Sequence, residues 1–132
     1  MMDEEPDISW VVTISDLADA DIEAAYQYQI TFTEAATVEE WVRGFYFALL
    51  SLGDFPGPYA NSIDEAATLR RGQEVRRLLY RGTKKRPRSF AYKAFYRAIA
   101  PLPGETDGTI VVDRIVHGAS NYPNDAPDND EE

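Results

Sequence analysis

Basic side chains are concentrated in the middle of this chain. Between Arg70 and Arg97 lie eleven of its thirteen Lys and Arg residues, with a single acid, Glu74. Nine of them occupy two strand-like runs, VRRLLYR and SFAYKAFYRAIA, and the segment GTKKRPR that joins them, and the other two, Arg70 and Arg71, come just before the first run. Guanidinium groups bind phosphate or carboxylate oxygens, and neighbouring aromatic rings can stack on bases. This basic segment is therefore predicted to be the working surface, with either RNA or an acidic peptide as its ligand.

The run VRRLLYR has no cleanly apolar face, because side chains alternate along a strand. The two predicted faces are Val75, Arg77, Leu79 and Arg81 on one side, and Arg76, Leu78 and Tyr80 on the other. Long arginine stems can also simply cover a sheet edge and protect it from aggregation. That role explains any single arginine here, whereas a cluster of eleven basic residues favours a ligand or a partner.

The chain has one histidine, His117, near the end of its last apolar run. A neutral imidazole can move protons near pH 7, but RNA cleavage through the ribose 2′-hydroxyl also needs a second proton-transfer group and a cation. Arg114 is close in sequence, although a spacing of three along a strand points it to the opposite face. His117 can equally end the strand with a local hydrogen bond. If the protein cleaves RNA, the candidate residues are Arg77, Lys93, Arg114 and His117.

The net charge of −10 arises at the two ends of the chain. Residues 1–25 hold eight acids and residues 119–132 hold five, without a base in either, whereas residues 26–118 hold thirteen bases and ten acids. Screening limits the reach of exposed charges to about 10 Å, so these local clusters decide what each surface attracts. The acidic tail is predicted to be solubilising, or else to fold back over the basic residues and weaken binding.

Composition limits the possible classes of protein. A chain of 132 residues with 44% hydrophobic content suits one domain with one core. It has no cysteine for a disulfide or a thiolate metal site, and no segment approaches the ~20 apolar residues that span a bilayer. The acidic start MMDEEPD is unlike a secretory signal. Without a histidine pair, a carboxylate cluster or a Gly-rich phosphate loop, we expect a cytoplasmic protein with no metal and no cofactor.

Apolar periodicity predicts a strand, two helices and three further strands. The run ISWVVTIS, residues 8–15, predicts the first strand. Apolar spacings of three and four predict a helix that Asp16 caps and that continues to Ile30, then a second helix that begins at Glu34 or Thr37 and continues to Leu52. Residues 57–74 are predicted to be a polar connection with at most one helical turn. The last three strands are predicted at residues 75–81, 89–100 and 109–117.

This order, β-α-α-β-β-β, predicts an α+β fold in which an N-terminal helical hairpin packs on one face of a small, mainly antiparallel sheet. Asp113 stands where the last strand should be apolar, so it must bind an arginine or face water. The predicted organisation is an acidic extension at residues 1–7, a domain at residues 8–119 and an acidic flexible tail at residues 120–132. The predicted core includes Trp10, Trp41, Val42, Phe45 and Leu49.

Six pieces in this order resemble the RelE/ParE superfamily of type II toxin–antitoxin toxins. They are the first strand, the helix with an acidic start, the tryptophan-bearing helix ending at Asp54-Phe55-Pro56, and the runs VRRLLY, YKAFYRA and IVVDRIVHGA. The resemblance covers residues 8–119. RelE-like members cut messenger RNA on the ribosome without a metal, and ParE-like members inhibit DNA gyrase. The two long helices, the FPGPY corner and the terminal HGA resemble the ParE-like branch more closely.

The resemblance implies a toxin that inhibits DNA gyrase by binding and that a cognate antitoxin neutralises in a hetero-oligomer, with acidic side chains of the antitoxin on the basic face. The alternatives are a RelE-like, ribosome-dependent messenger RNA endoribonuclease and a toxin-fold binding module without activity. Ser120 and Asn121 follow HGA where family members often have an arginine, which removes one cation from that corner. The predicted partner contacts are Arg76, Arg77, Arg81, Lys93, Arg97 and Arg114.

Overall fold

The computed structural model of the chain describes residues 9–54, 57–81, 91–120 and 122–123. Its order of elements confirms the predicted β-α-α-β-β-β series and adds a third helix before the second strand. Short 3₁₀ turns follow the second helix. The helices and strands are β1 (Ser9–Ile14), α1 (Asp16–Gln29), α2 (Ala35–Leu50), α3 (Glu65–Arg71), β2 (Arg76–Tyr80), β3 (Tyr92–Ile99) and β4 (Asp107–His117).

The four strands form one sheet in the order β1-β4-β3-β2. β2, β3 and β4 make the predicted antiparallel meander, and β1 pairs with β4 in parallel, so the sheet is mainly antiparallel as expected. The register passes from Phe95 opposite Arg114 to Tyr96 opposite Val112, which leaves Asp113 as the extra residue of a β-bulge. This irregularity turns Asp113 inward at the centre of the sheet.

The helical hairpin of α1 and α2 covers one face of the sheet, as predicted. Both helices bury one apolar stripe, and Trp41 packs against Tyr92 while Phe45 stacks on Tyr80 at 4.5 Å between ring centroids. Trp10 and Val42 are only half-buried at the margin of this core. The predicted core is thus confirmed at Trp41, Phe45 and Leu49, with two members at its edge.

The cap of α1 and the length of α3 differ from the predictions. Ser15, rather than Asp16, caps α1, because its Oγ accepts a hydrogen bond from the amide of Ala18 at 3.0 Å. Residues 57–74, predicted to contain at most one helical turn, hold the seven-residue α3. The Asp64 carboxylate caps α3 at the amide of Ala67, and Gly72 ends it with a positive φ of 84°.

The face of the sheet opposite the hairpin carries a second, smaller core. There α3 contributes Ala67, which packs with Val75, Phe95 and Tyr122. Tyr122, which belongs to the predicted tail, is only 5% exposed and therefore packs on the domain. The reason is that its aromatic ring packs edge-on against Phe95 with 5.1 Å between centroids.

Several predictions concern residues outside the described part of the chain. These residues are 1–8, 55–56, 82–90, 121 and 124–132, which include the acidic extension, the joining segment GTKKRPR and the acidic end of the tail. Within the described ranges, no helix combines the length and the apolar content needed to cross a membrane.

Candidate functional site

The register of β2 against β3 confirms the two predicted faces of the basic strand. Leu78 lies opposite Ala94 and Tyr80 opposite Tyr92, all on the hairpin side. Arg77 lies opposite Phe95 and Leu79 opposite Lys93, on the other side of the sheet. The two arginines of β2, Arg76 and Arg77, therefore lie on opposite faces of the sheet.

Arg97, predicted to contact a partner, lies inside the protein. Its Nε and Nη2 donate to the two carboxylate oxygens of Asp113 at 2.8 and 2.9 Å. Arg97 is 6% exposed and Asp113 is fully buried. The arginine that Asp113 was expected to need is therefore Arg97, and the bidentate ion pair removes Arg97 from the set available to a partner.

A second arginine, Arg71 at the end of α3, reaches the same buried carboxylate. Its Nη2 lies 3.9 Å from Oδ1 of Asp113, and its side chain is 5% exposed. Neither Nε nor Nη2 of Arg71 has a hydrogen-bond partner among the described residues. Burial, reinforced by the negative charge of Asp113, raises the pKa of Tyr122 to about 12. We call Arg71, Arg97, Asp113 and Tyr122 the buried charge cluster.

Arg114, another predicted contact and a candidate for catalysis, binds the hairpin. Its Nε and Nη2 donate to the Asp21 carboxylate at 2.8 and 2.9 Å, and the backbone amide of Ile115 donates to the same carboxylate at 2.8 Å. Pairing of β1 with β4 ends at Val112, so beyond that point the Asp21 carboxylate accepts the β4 backbone hydrogen bond that β1 no longer reaches. Arg114 thus joins α1 to the sheet.

Arg76 also has a structural position. Its Nε donates to Glu74 at 2.7 Å and its Nη1 to the carbonyl oxygen of Asn61 at 2.6 Å, while its guanidinium lies 5.0 Å from the centre of the Tyr59 ring. These contacts hold the segment before α3 against β2. Arg77 is less restricted, because it donates to Asp64 at 3.3 Å with 41% of its side chain exposed.

Arg81 and His117 line one open pocket of about 330 Å³ at the ends of the strands. Nδ1 of His117 accepts a hydrogen bond from the amide of Ala119 at 3.4 Å, so a neutral ring carries its proton on Nε2. This is the local contact expected at the strand end. The pocket is lined by Leu79, Arg81, Ala91, His117, Gly118 and Ala119.

Gly118 in the HGA run has a steric reason. Its amide donates to the carbonyl oxygen of Ala91 at 2.7 Å, and a Cβ at this position would lie 2.9 Å from that same oxygen. Only glycine lets the chain pass so close to the start of β3. HGA therefore closes β4 against β3 and fixes the imidazole at the rim of the pocket.

The four candidates for RNA cleavage do not form one constellation. Arg114 is bound to Asp21 and Arg77 to Asp64, while Nζ of Lys93 lies 5.8 Å from the centre of the Phe95 ring. Among the described residues that line the pocket of His117, the cation is Arg81. Sequence reasoning missed Arg71 and Tyr122; the available signals were the aspartate in an apolar strand and an aromatic residue just after HGA.

The architecture defines a small α+β class, a helical hairpin on a sheet in which the first strand joins the last in parallel. No family model and no curated protein matches the sequence. Among solved structures, the chain is similar to a chain of the "Chromosomal ParDE TA system from P. aeruginosa", with a TM-score of 0.54 and 17% sequence identity, over 83% of this chain and 96% of that chain. At this identity the likeness shows a shared fold.

Proposed function

We propose that this chain is the toxin of a type II toxin–antitoxin pair, a ParE-like inhibitor of DNA gyrase that acts in the cytoplasm and that a cognate antitoxin neutralises. The observation that carries the proposal is the likeness in fold to a chain of a ParDE system, because it extends over 96% of that chain. Fold alone does not specify activity, so the choice of partner and target depends on the surface.

The antitoxin is expected on the outer face of β2. There Arg77, Leu79, Arg81 and Lys93 combine three cations with a leucine that is 58% exposed; we call these four residues the β2 surface. An acidic peptide with a few apolar side chains matches this composition. Complementary charge of this kind accelerates association and selects the partner.

The edge of β2 offers a way to bind such a peptide. Ser62 and Ile63 pair with the beginning of the strand, where the amide of Arg77 donates to the carbonyl oxygen of Ser62 at 3.1 Å. Among the described residues, no strand pairs with this edge beyond Arg77. An extended antitoxin segment would add a strand there and place alternate acidic side chains near Arg77 and Arg81.

Inhibition by binding is favoured over RNA cleavage because the four candidates for cleavage do not meet at one place. Arg114 in particular is held by the Asp21 carboxylate of α1. One observation keeps the ribonuclease as a second candidate: His117 and Arg81 line the same pocket, so an imidazole and a cation could meet a phosphate there. A ribosome-bound messenger RNA would then be the substrate.

The test is induction of the full chain in a bacterial host, with a supercoiling assay on purified gyrase and primer extension on translated messages. Loss of supercoiling with intact transcripts is the expected result. Codon-aligned cuts that disappear in His117→Ala and Arg81→Ala would establish the ribonuclease instead. If neither effect is seen, the chain is a toxin-fold binding module without activity.

The antitoxin surface is tested with the product of the gene that neighbours the toxin gene. Arg81→Ala is expected to weaken its binding at least tenfold, with a matched loss of salt dependence. Arg43→Ala serves as the control, because Arg43 is an exposed arginine on the hairpin, away from β2. Equal effects of the two substitutions would refute the assignment of the β2 surface.

A further inference from the structure

Tyr122 packs on the face of the sheet that the hairpin leaves uncovered. It follows the end of β4 by five positions and belongs to no helix or strand. Its ring nevertheless packs among Ala67, Val75 and Phe95 and becomes almost fully buried. Tyr122 is thus held by packing of its ring rather than by backbone pairing, and a separate peptide with an aromatic side chain could make the same contacts.

The polar groups beside this ring are incompletely satisfied. Two guanidiniums and one carboxylate leave one positive charge in excess in the buried charge cluster. Nε and Nη2 of Arg71 have no hydrogen-bond partner among the described residues. Buried polar groups are nearly always bonded in folded proteins, so such orphans require a reason. A ligand that brings a carboxylate oxygen to Arg71 would supply one.

We propose that this site, between α3 and the outer face of β3, binds an aromatic side chain presented by an acidic peptide segment, and that Tyr122 fills it in the isolated chain. A partner segment displaces Tyr122 by placing both a ring on Phe95 and a carboxylate on Arg71. That this partner is the antitoxin rests on the proposed function; the site itself does not.

A peptide fits the site better than a nucleic acid. The ring is enclosed by small aliphatic side chains, Ala67 and Val75, with Val116 packed beside them. The chain's own occupant is also peptidic and acidic, since residues 125–132 contain five acids.

Because Tyr122 already occupies the site, it should compete with any free peptide that binds there. A segment joined to its site has an effective concentration of about 1 mM for a short linker, so a free peptide of similar sequence must exceed that level to enter the wild-type protein. Vacating the site removes the competitor and increases the apparent affinity by the inverse of the unoccupied fraction. We expect a gain of at least tenfold.

The experiment uses the full chain with Tyr122→Ala and a fluorescent synthetic peptide of residues 119–132, ASNYPNDAPDNDEE. Fluorescence anisotropy should show binding at least tenfold tighter than to the wild type. Tyr28→Ala, which removes an exposed tyrosine of α1, is the protein control and should behave as wild type. A peptide with Tyr122→Ala is the peptide control and should not bind.

A second peptide tests whether a ligand carboxylate oxygen binds Arg71. Asn121→Asp puts a carboxylate next to Tyr122 in the peptide sequence and should increase the affinity for the vacated chain severalfold. The increase should disappear when Arg71→Gln is added to the protein. A merely structural Arg71 would change the stability of the protein without affecting the difference between the two peptides.

Failure of a folded Tyr122→Ala chain to bind the peptide would overturn the proposal. If that variant does not fold, Tyr122→Leu retains apolar volume without the aromatic contact and should bind the peptide less tightly than a vacant site but more tightly than the wild type. Binding of a short single-stranded RNA in place of the peptide would also overturn it. Peptide binding without gyrase inhibition would refute the proposed function alone, and gyrase inhibition without peptide binding would refute this site alone.

Discussion

Asp113→Asn tests whether the buried charge cluster is held together by one carboxylate. Asn preserves the shape of the side chain and removes the charge that faces Arg97 at 2.8 Å and Arg71 at 3.9 Å. Both guanidiniums are more than nine-tenths buried, so neither can turn to water without opening the domain. Removing one partner of a buried ion pair costs about 3–5 kcal/mol, because an unpaired charge stays buried.

That loss is large for a domain of this size. The whole unfolding free energy of such a protein is about 5–15 kcal/mol, and with an unfolding entropy of about 2 cal/mol/K per residue the loss corresponds to a fall in Tm of roughly 10–20 °C. Urea unfolding followed by circular dichroism gives the free energy, and an unchanged m-value would show that the native fold is retained.

The matched control is Asp107→Asn, which changes an exposed aspartate at the start of the same strand. Its expected effect is within about 0.5 kcal/mol of zero. A double-mutant cycle with Arg97→Gln should show a coupling of about 0.5–3 kcal/mol between Arg97 and Asp113. A cost below about 1 kcal/mol for Asp113→Asn, the range of an exposed ion pair, would show that the buried charge cluster does not depend on this carboxylate.

Three further predictions concern stability. Asp21→Asn removes the carboxylate that accepts hydrogen bonds from Arg114 and the β4 backbone; we expect a loss of about 1–3 kcal/mol in urea unfolding, and an equal loss in the exposed control Glu23→Gln would contradict it. Gly118→Ala brings a Cβ to 2.9 Å from a carbonyl oxygen and should also lower the free energy of urea unfolding by about 1–3 kcal/mol, whereas an unchanged free energy would mean that the end of β4 shifts to accommodate the methyl group. The pKa of Tyr122 rises from 10.0 in the unfolded chain to about 12 in the folded protein. The stability that the protonated hydroxyl contributes is therefore complete below pH 10 and is lost as the pH approaches 12. Over that range the unfolding free energy should fall by about 3 kcal/mol more than in Tyr122→Phe. Tyr46, whose burial and hydrogen bond to Asp19 also raise its pKa to about 12, titrates alongside and remains unchanged in that comparison.

The main layer of the fold could be predicted because its signals are long and repetitive. α1 and α2 run for fourteen and sixteen residues, enough for an apolar stripe to repeat several times. The second layer has no such stripe. α3 has seven residues and one buried side chain, Ala67, so only its caps at Asp64 and Gly72 could indicate a helix.

Composition indicated a basic surface, but the sequence did not indicate which arginines would be exposed on it. Arginine is compatible with solvent, with a sheet edge and with a buried carboxylate, and sequence does not distinguish these environments. Arg97 and Arg81 are both strand-associated arginines, yet Arg97 is buried because the bulge at Asp113 presents a carboxylate to it. A bulge depends on the pairing of two strands, which the local pattern of one strand does not contain.

The β2 surface and the Tyr122 site are connected through one aromatic ring. Phe95 lies opposite Arg77 in the register, has Nζ of Lys93 at 5.8 Å from its centre and contacts Tyr122 edge-on at 5.1 Å. A single acidic segment could therefore pair with the edge of β2 and insert its aromatic side chain beside Phe95. Because both contacts would share that ring, the effects of Arg77→Ala and Tyr122→Ala on partner binding should not add. Strict additivity would instead separate the two surfaces and assign them to different ligands.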